Sequence, residues 1–111
     1  MQVVTLLLDR FNALLIGEKR YFTLADESGL LILPSECPHR GGPLHLGKRS
    51  ECGLRIVCPW HDNTYPVRSI ARHALPAVAR CGEVSIIMHD GEVRAWKETR
   101  FLDGAASGEC T

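Results

Sequence analysis

The chain reads as an all-β domain, a sandwich or barrel-like arrangement of short strands. Three observations predict it. Apolar residues come in short runs such as Val3-Val4-Thr5-Leu6-Leu7-Leu8 and Leu30-Leu31-Ile32-Leu33. Gly, Pro and Asp-Gly punctuate these runs at close intervals. No segment keeps a 3.6-residue apolar period through three turns, although Leu6 to Ile16 comes near to one. Short strands with Gly and Pro turns pack as sheet on sheet.

In chain order, residues 3–8 form the first strand and Ala13-Leu14-Leu15-Ile16 the second. Gly17-Glu18-Lys19-Arg20 reads as a turn, leading into Tyr21-Phe22-Thr23-Leu24. Glu27-Ser28-Gly29 turns the chain into Leu30-Leu31-Ile32-Leu33, which ends at Pro34. Leu54-Arg55-Ile56-Val57 alternates as a strand should. Val84-Ser85-Ile86-Ile87-Met88 and Val93-Arg94-Ala95-Trp96 flank His89-Asp90-Gly91-Glu92, and the Asp-Gly pair predicts a hairpin between them. Phe101 to Thr111 is small, polar and Gly-rich, which predicts a disordered tail over 101–111 behind a single domain over 1–100.

The bulk properties agree. A chain of 111 residues, 45% apolar and 23% charged, builds one modest core. No run approaches the roughly 18 apolar residues of a membrane span. The N-terminal apolar run has no basic leader and stops at Asp9, so it reads as a strand and the expected compartment is the cytoplasm. Cys52, Cys81 and Cys110 are then expected as reduced thiols. Formal net charge is zero but uneven. Residues 34–80 carry seven basic groups against three acidic ones, leaving six against ten elsewhere. With no basic run, nucleic acid is not an expected partner.

Chemistry concentrates between Cys37 and His61. The stretch reads Cys37-Pro38-His39-Arg40-Gly41-Gly42-Pro43-Leu44, then thirteen residues, then Cys58-Pro59-Trp60-His61. Thiolate and imidazole together point to zinc or iron–sulfur chemistry. Each arm supplies one cysteine and one histidine, and neither reads as helical. A Cys₂His₂ finger instead pairs like with like and puts its histidines on a helix. Two mixed arms facing each other suit a two-iron centre in which thiolates hold one iron and imidazoles the other.

Cys37-Pro38-His39-Arg40-Gly41-Gly42 with Cys58-Pro59-Trp60-His61 resembles the two cluster-binding loops of Rieske [2Fe–2S] proteins. It is most similar to the ferredoxins and oxygenase domains of bacterial ring-hydroxylating systems. The likeness runs on through Ala74-Leu75-Pro76, Gly82-Glu83-Val84 and Asp90-Gly91-Glu92-Val93. It implies a fold of small antiparallel sheets with a cluster-binding subdomain made of two loops, about residues 35–66. It also implies one [2Fe–2S] cluster ligated by Cys37, His39, Cys58 and His61. Around that cluster, Gly41 and Gly42 would bring backbone amides to the sulfides, and Leu44 and Trp60 would shield it from water. Tyr65, with Asn63, stands where a hydrogen bond to a ligand sulfur would raise the potential.

The departures narrow the type. Respiratory Rieske proteins carry an extra disulfide-bonded cysteine in each loop; here Gly42 and Trp60 stand there, as in the ferredoxin type. Asp62 follows the second histidine, where family members usually have Gly, and Tyr65 replaces the usual Phe of ferredoxin-type members. The resemblance therefore implies a non-catalytic, monomeric electron carrier. It would pass single electrons from a flavin-dependent or ferredoxin reductase to a terminal oxygenase, through transient contacts and without membrane attachment. An accessory subunit of a larger redox enzyme, like the nitrite reductase small subunit, and a redox or iron sensor are the alternatives. The remaining histidines, His45, His73 and His89, have no ligand spacing and are expected at the surface or beside the ligands. Arg40, Lys48, Arg49, Arg68 and Arg72 are expected to form a basic collar facing acidic partners.

Overall fold

The computed structural model describes residues 1–26, 29–36, 43–50, 54–59, 63–100 and 102. The strands are β1 (Gln2–Leu7), β2 (Ala13–Ile16), β3 (Lys19–Asp26), β4 (Gly29–Pro34), β5 (Lys48–Arg49), β6 (Arg55–Val57), β7 (Thr64–Pro66), β8 (Ala77–Arg80), β9 (Glu83–Met88) and β10 (Val93–Trp96). A 3₁₀ turn over Leu44–Leu46 and one short helix, α1 (Val67–Ala71), complete the described elements. All pairing among the named strands is antiparallel, in three sheets ordered β1-β9-β8, β10-β2-β3-β4 and β5-β6-β7.

The four-stranded sheet is the shared wall of two cores. Successive side chains of a strand point to opposite faces. Along β4, Leu30 and Ile32 join one cluster, with Leu6, Leu14, Ile16, Val84, Ile86 and Met88, against the β1-β9-β8 sheet. Leu31 and Leu33 join the other, with Phe22, Leu44, Ile56, Cys58, Val67 and Ile70, against the β5-β6-β7 side. A strand buried on both faces has no polar side, which is why Leu30 to Leu33 is unbroken apolar. β1 and β9, covered on one face only, alternate instead: Leu6, Val84, Ile86 and Met88 are buried, while Val3, Leu7 and Ile87 face outward.

Several elements depart from the sequence reading. The turn after β2 is only Gly17-Glu18, since Ile16 already pairs with Lys19 and Gly17 at φ 60 makes the reversal. The expected Asp90-Gly91 hairpin does not form. β10 crosses to the other sheet and pairs with β2, while β9 pairs with β1 and β8. A type I′ turn needs positive φ at both central residues, and here Gly91 has it (φ 155) while Asp90 does not. The Gln2 amide donates to the carbonyls of His89 (3.1 Å) and Gly91 (2.9 Å), holding the crossover open. The turn with that geometry is Cys81-Gly82, at φ 51 and φ 80, joining β8 to β9 through the Arg80–Glu83 pair. Strand β8 gave no pattern because most of it is exposed, and α1 is too short to show a period.

The C-terminal segment is stitched to the wall by polar groups. The Asn12 amide donates to the Glu98 carbonyl (2.8 Å), and the Glu98 N–H donates to Asn12 Oδ1 (2.9 Å). Arg20 Nη2 donates to both carboxylate oxygens of Glu98 (2.8 and 2.6 Å), and Trp96 Nε1 adds a bond of 3.1 Å. The Arg20 guanidinium also lies over the Trp96 ring, 4.8 Å from its centroid. Arg100 donates to the Thr23 carbonyl at 2.7 Å. Leu102 follows, 1% exposed in the cluster-side core. It lies inside the expected tail but packs like core, and burying such a side chain is worth about 1.5–3 kcal/mol. Residues 101 and 103–111 lie outside the described residues.

Two stability predictions follow from this packing. Gly47 has an ordinary φ of −73°, so a side chain there meets no backbone strain. Its Cβ would nonetheless run into the Val57 carbonyl oxygen and lie 3.1 Å from that of Leu44. Gly47→Ala should therefore cost about 1–3 kcal/mol by forcing the turn away from β6, read as a fall in thermal midpoint. Burial opposes ionisation of Glu98, but the Arg20 and Trp96 hydrogen bonds and the Arg20 charge hold its pKa below the usual 4.5. Its contribution is then complete above pH 4.5 and lost as pH falls toward the depressed value. Glu98→Gln should cost about 1–3 kcal/mol at neutral pH and flatten this part of the acid unfolding curve.

Candidate metal centre

Both cysteine–histidine arms rise from feet closed by antiparallel backbone contacts. The first foot is the bridge between Glu36 and Pro43, reinforced by Leu44 N–H donating to the Ser35 carbonyl at 2.7 Å. The second continues the β6–β7 ladder beyond Val57 and Thr64, where Cys58 N–H donates to the Asn63 carbonyl at 2.7 Å. The two feet are tied together by β5, which follows the 3₁₀ turn and pairs with β6. Close approach of Gly47 to the Val57 carbonyl sets the spacing.

Of the residues expected in the site, Cys58, Leu44, Asn63 and Tyr65 are described. Cys58 is fully buried at the start of the second arm, in one cluster with Leu44, Ile56 and Val67. Leu44, at 0% exposure, stands at the end of the first arm and packs in the same core, so one apolar floor underlies both arms. Tyr65 is half-buried against that floor and pairs across the ladder with Ile56. Asn63 supplies the carbonyl that closes the second foot. Cys37, His39, Gly41, Gly42, Trp60 and His61 lie outside the described residues, as do Arg40 and Asp62. Among the described residues no three His, Cys, Asp or Glu side chains gather as metal ligands.

The donor chemistry fits a cluster. Cys58 offers sulfur from an apolar, water-poor floor, the kind of shell that keeps solvent from an iron–sulfur centre and tunes it. The two closed feet bracket the Cys-x-His and Cys-x-x-His stretches of the sequence. Cys81 is exposed at its turn, away from this core; Cys52 and Cys110 lie outside the described residues.

The charged surroundings correct two expectations. Arg49 does not stand out as part of a collar: it is half-buried, and its Nη2 donates to the Ala25 carbonyl at 2.6 Å on β3. Lys48 is exposed opposite Val57, next to the second arm, and Arg68 and Arg72 are exposed on α1 and at its end. The end of α1 lies beside the first foot, where His73 and Glu36 line one cleft with Lys19, Arg20, Tyr21, Pro34 and Ile70. His73 and His89 are exposed as expected, but His45 is 7% exposed within the 3₁₀ turn. Its Nδ1 is buried without a hydrogen bond, as are Ser35 Oγ and Arg20 Nε nearby. Burial first, and then the Arg20 and Arg100 charges, lower the His45 pKa from 6.5, with Glu98 opposing them. The signal that could have found it is Leu44-His45-Leu46 itself, a histidine between two leucines directly after the first arm.

No individual curated protein and no solved structure matches the chain. The family model described as the Rieske [2Fe–2S] domain matches residues 8–97, from the end of β1 to just beyond β10. That span takes in both arms, their feet and the shared wall. Such a domain binds a [2Fe–2S] cluster and transfers electrons, and the antiparallel sheets found here are its fold. The chain belongs to the Rieske [2Fe–2S] domain family.

Proposed function

We propose that this protein is a ferredoxin-type Rieske carrier, moving single electrons from a flavin-dependent or ferredoxin reductase to a terminal oxygenase. The observation that carries this reading is the family match across the whole β framework together with the two arms closed at their feet on the Cys58 floor. Cys37 and Cys58 would hold one iron and His39 and His61 the other, with two sulfides between them. Saturated ligation leaves no open position for substrate, so the centre supplies electron transfer rather than catalysis. No helix among the described residues is long and apolar enough to cross a membrane.

This chain's own residues set the conditions of transfer. The Leu44 and Ile56 floor excludes water beneath the arms, and Trp60 is proposed to complete the screen. Gly41 and Gly42 would let backbone amides face the sulfides, and Tyr65, half-buried on the floor, would donate toward a ligand sulfur. With Gly42 and Trp60 in the positions of the respiratory disulfide, the potential belongs toward the low end of the roughly −150 to +300 mV Rieske range.

The metal content tests the centre itself. Aerobically purified protein should carry two irons and two acid-labile sulfides per chain, following the two-iron stoichiometry of the centre. Cys58→Ser and His61→Ala should abolish the Rieske spectrum, whereas Cys81→Ser should leave it intact. Stoichiometric zinc in place of iron would overturn the assignment.

The partner surface is tested by kinetics. With Arg49 tied to β3, the exposed cations near the arms among the described residues include Lys48, Arg68 and Arg72. Reduction by a reductase with an acidic face should slow as salt rises, screened over a Debye length of about 10 Å at 0.1 M. Lys48→Glu should slow it further at low salt without moving the potential, and Arg49→Glu should act mainly on stability. A rate indifferent to salt and to Lys48→Glu would leave these cations as mere surface. Co-purification with a large enzyme in high salt would favour the accessory-subunit reading.

A further inference from the structure

β1 is an edge strand without the protection that edges commonly carry. Its sequence, Gln2-Val3-Val4-Thr5-Leu6-Leu7, holds no charge and no proline, and its register with β9 runs through all six residues without a bulge. Soluble proteins blunt edges with such devices because open backbone groups recruit another strand. The other edge of this sheet, β8, is tied to the wall: the Leu75 N–H just before it donates to the Ile32 carbonyl at 3.0 Å.

The ladder decides which groups of β1 stay open. Leu8 N–H donates to the Gly82 carbonyl at 2.8 Å, and across β9 the Ile87 N–H donates to the Pro76 carbonyl at 2.8 Å. Bonded and non-bonded pairs alternate along an antiparallel ladder, so Gln2, Val4 and Leu6 turn their backbone groups toward β9. Val3, Thr5 and Leu7 turn theirs to the open edge. The Leu7 carbonyl accepts from Arg10 and Phe11, but among the described residues nothing meets the Leu7 N–H or the backbone groups of Val3 and Thr5. The side chains of the same three residues face outward. Val3 is 66% exposed and Leu7 40%, and Ile87, directly across from Val3, is 43% exposed. Between them Thr5 and Ser85 share a hydrogen bond of 3.0 Å.

We propose that β1 pairs with β1 of a second copy of this chain, antiparallel and with Thr5 on the two-fold axis, joining two three-stranded sheets into one of six. In that register the strand complements itself. Thr5 exchanges both backbone bonds with Thr5 of the other copy, and Leu7 N–H reaches the Val3 carbonyl across the axis. Val3 lies opposite Leu7, so Ile87, Val3 and Leu7 form an apolar row on each side of a central row of hydroxyls. The charges at the ends match as well. Exposed Asp90 stands at the start of β1, 3.2 Å from the Met1 amino group, and exposed Arg10 at its end, where its N–H donates to the Leu7 carbonyl. Antiparallel pairing brings each Asp90 to the Arg10 end of the other copy, whereas a parallel arrangement would set like ends together.

The feet of the arms stay clear of this contact. β1 packs on the Leu14 and Ile86 side of the wall, and the feet stand on the Leu44 and Ile56 side. An edge of three residues per copy belongs with contacts under about 1,200 Å², so pairing is reversible and governed by protein concentration. It does not depend on the carrier reading.

Sedimentation velocity and amide hydrogen exchange of the cluster-loaded protein, from micromolar to millimolar concentration, test the pairing. The mass should rise from one chain toward two. The Thr5 and Leu7 amides should lose their fast exchange as it does, while those of Val4 and Leu6 are protected throughout. Leu7→Lys sets a cation against Val3 of the other copy, and Thr5→Pro removes an outward N–H without taking a backbone bond from β9. Each should remain a single chain where the wild type pairs, with its cluster spectrum unchanged, and Leu7→Lys decides the matter if Thr5→Pro fails to fold. A single chain at every concentration would overturn the proposal. So would association that leaves the Thr5 and Leu7 amides in fast exchange, or that survives Leu7→Lys. Absence of a cluster would remove the carrier reading and leave the outcome of these measurements standing.

Discussion

Burial of β3 and β4 on both faces is the constraint from which the rest of the structure follows. Tyr21 and Ile32 belong to the core shared with β1 and β9, whereas Phe22 and Leu33 belong to the core beneath the two arms. The register that pairs Phe22 with Leu33 and Thr23 with Ile32 therefore sets two cores at once. A slip of one residue would exchange the two faces and spoil both. This coupling lets a chain of 111 residues carry both arms on one frame. Their feet are anchored to a sheet that the opposite core already holds in place.

The polar clasp at the C-terminus extends that logic. Asn12 and Glu98 exchange bonds in the manner of a short ladder, and Arg20 closes the pair from β3. Leu102 then places the last described residue in the cluster-side core. Segments far apart in sequence, at residues 12, 20, 45 and 98–102, thus meet behind the first arm. The charge pattern there is built by folding rather than by any local motif. The Arg20–Glu98 pair neutralises itself in large part.

How much of this was legible in the sequence depends on the range of each cause. Cys37, His39, Cys58 and His61 are expected as ligands from spacing, since ligand chemistry is local, and only Cys58 lies among the described residues. The longer strands are legible because each buries apolar groups in a recognisable order. β8 is not, for Val78, Ala79 and Arg80 face solvent and no core demands anything of them. The Asp90-Gly91 pair misleads because turn propensity competes with pairing partners elsewhere: β2 offers β10 a full antiparallel edge, and Gln2 stabilises the crossing. Arg49 misleads for a related reason. A cation counted by position is only as exposed as its side chain's nearest carbonyl allows, and Ala25 captures this one. His45 and Glu98 look like ordinary surface residues until the fold brings them together.

An electron carrier benefits when its redox site moves little between oxidation states, and the described framework supplies that stiffness from outside the arms. Each arm closes on a backbone hydrogen bond of 2.7 Å at its foot, Leu44 to Ser35 and Cys58 to Asn63. The floor between the feet is made of side chains with no exposure, Leu44, Ile56 and Cys58. Gly47 brings the backbone of the turn so near to Val57 that the feet cannot approach further. Close-packed interiors transmit strain rather than absorb it. Spacing between the two feet is therefore set by β5, β6 and the wall behind them.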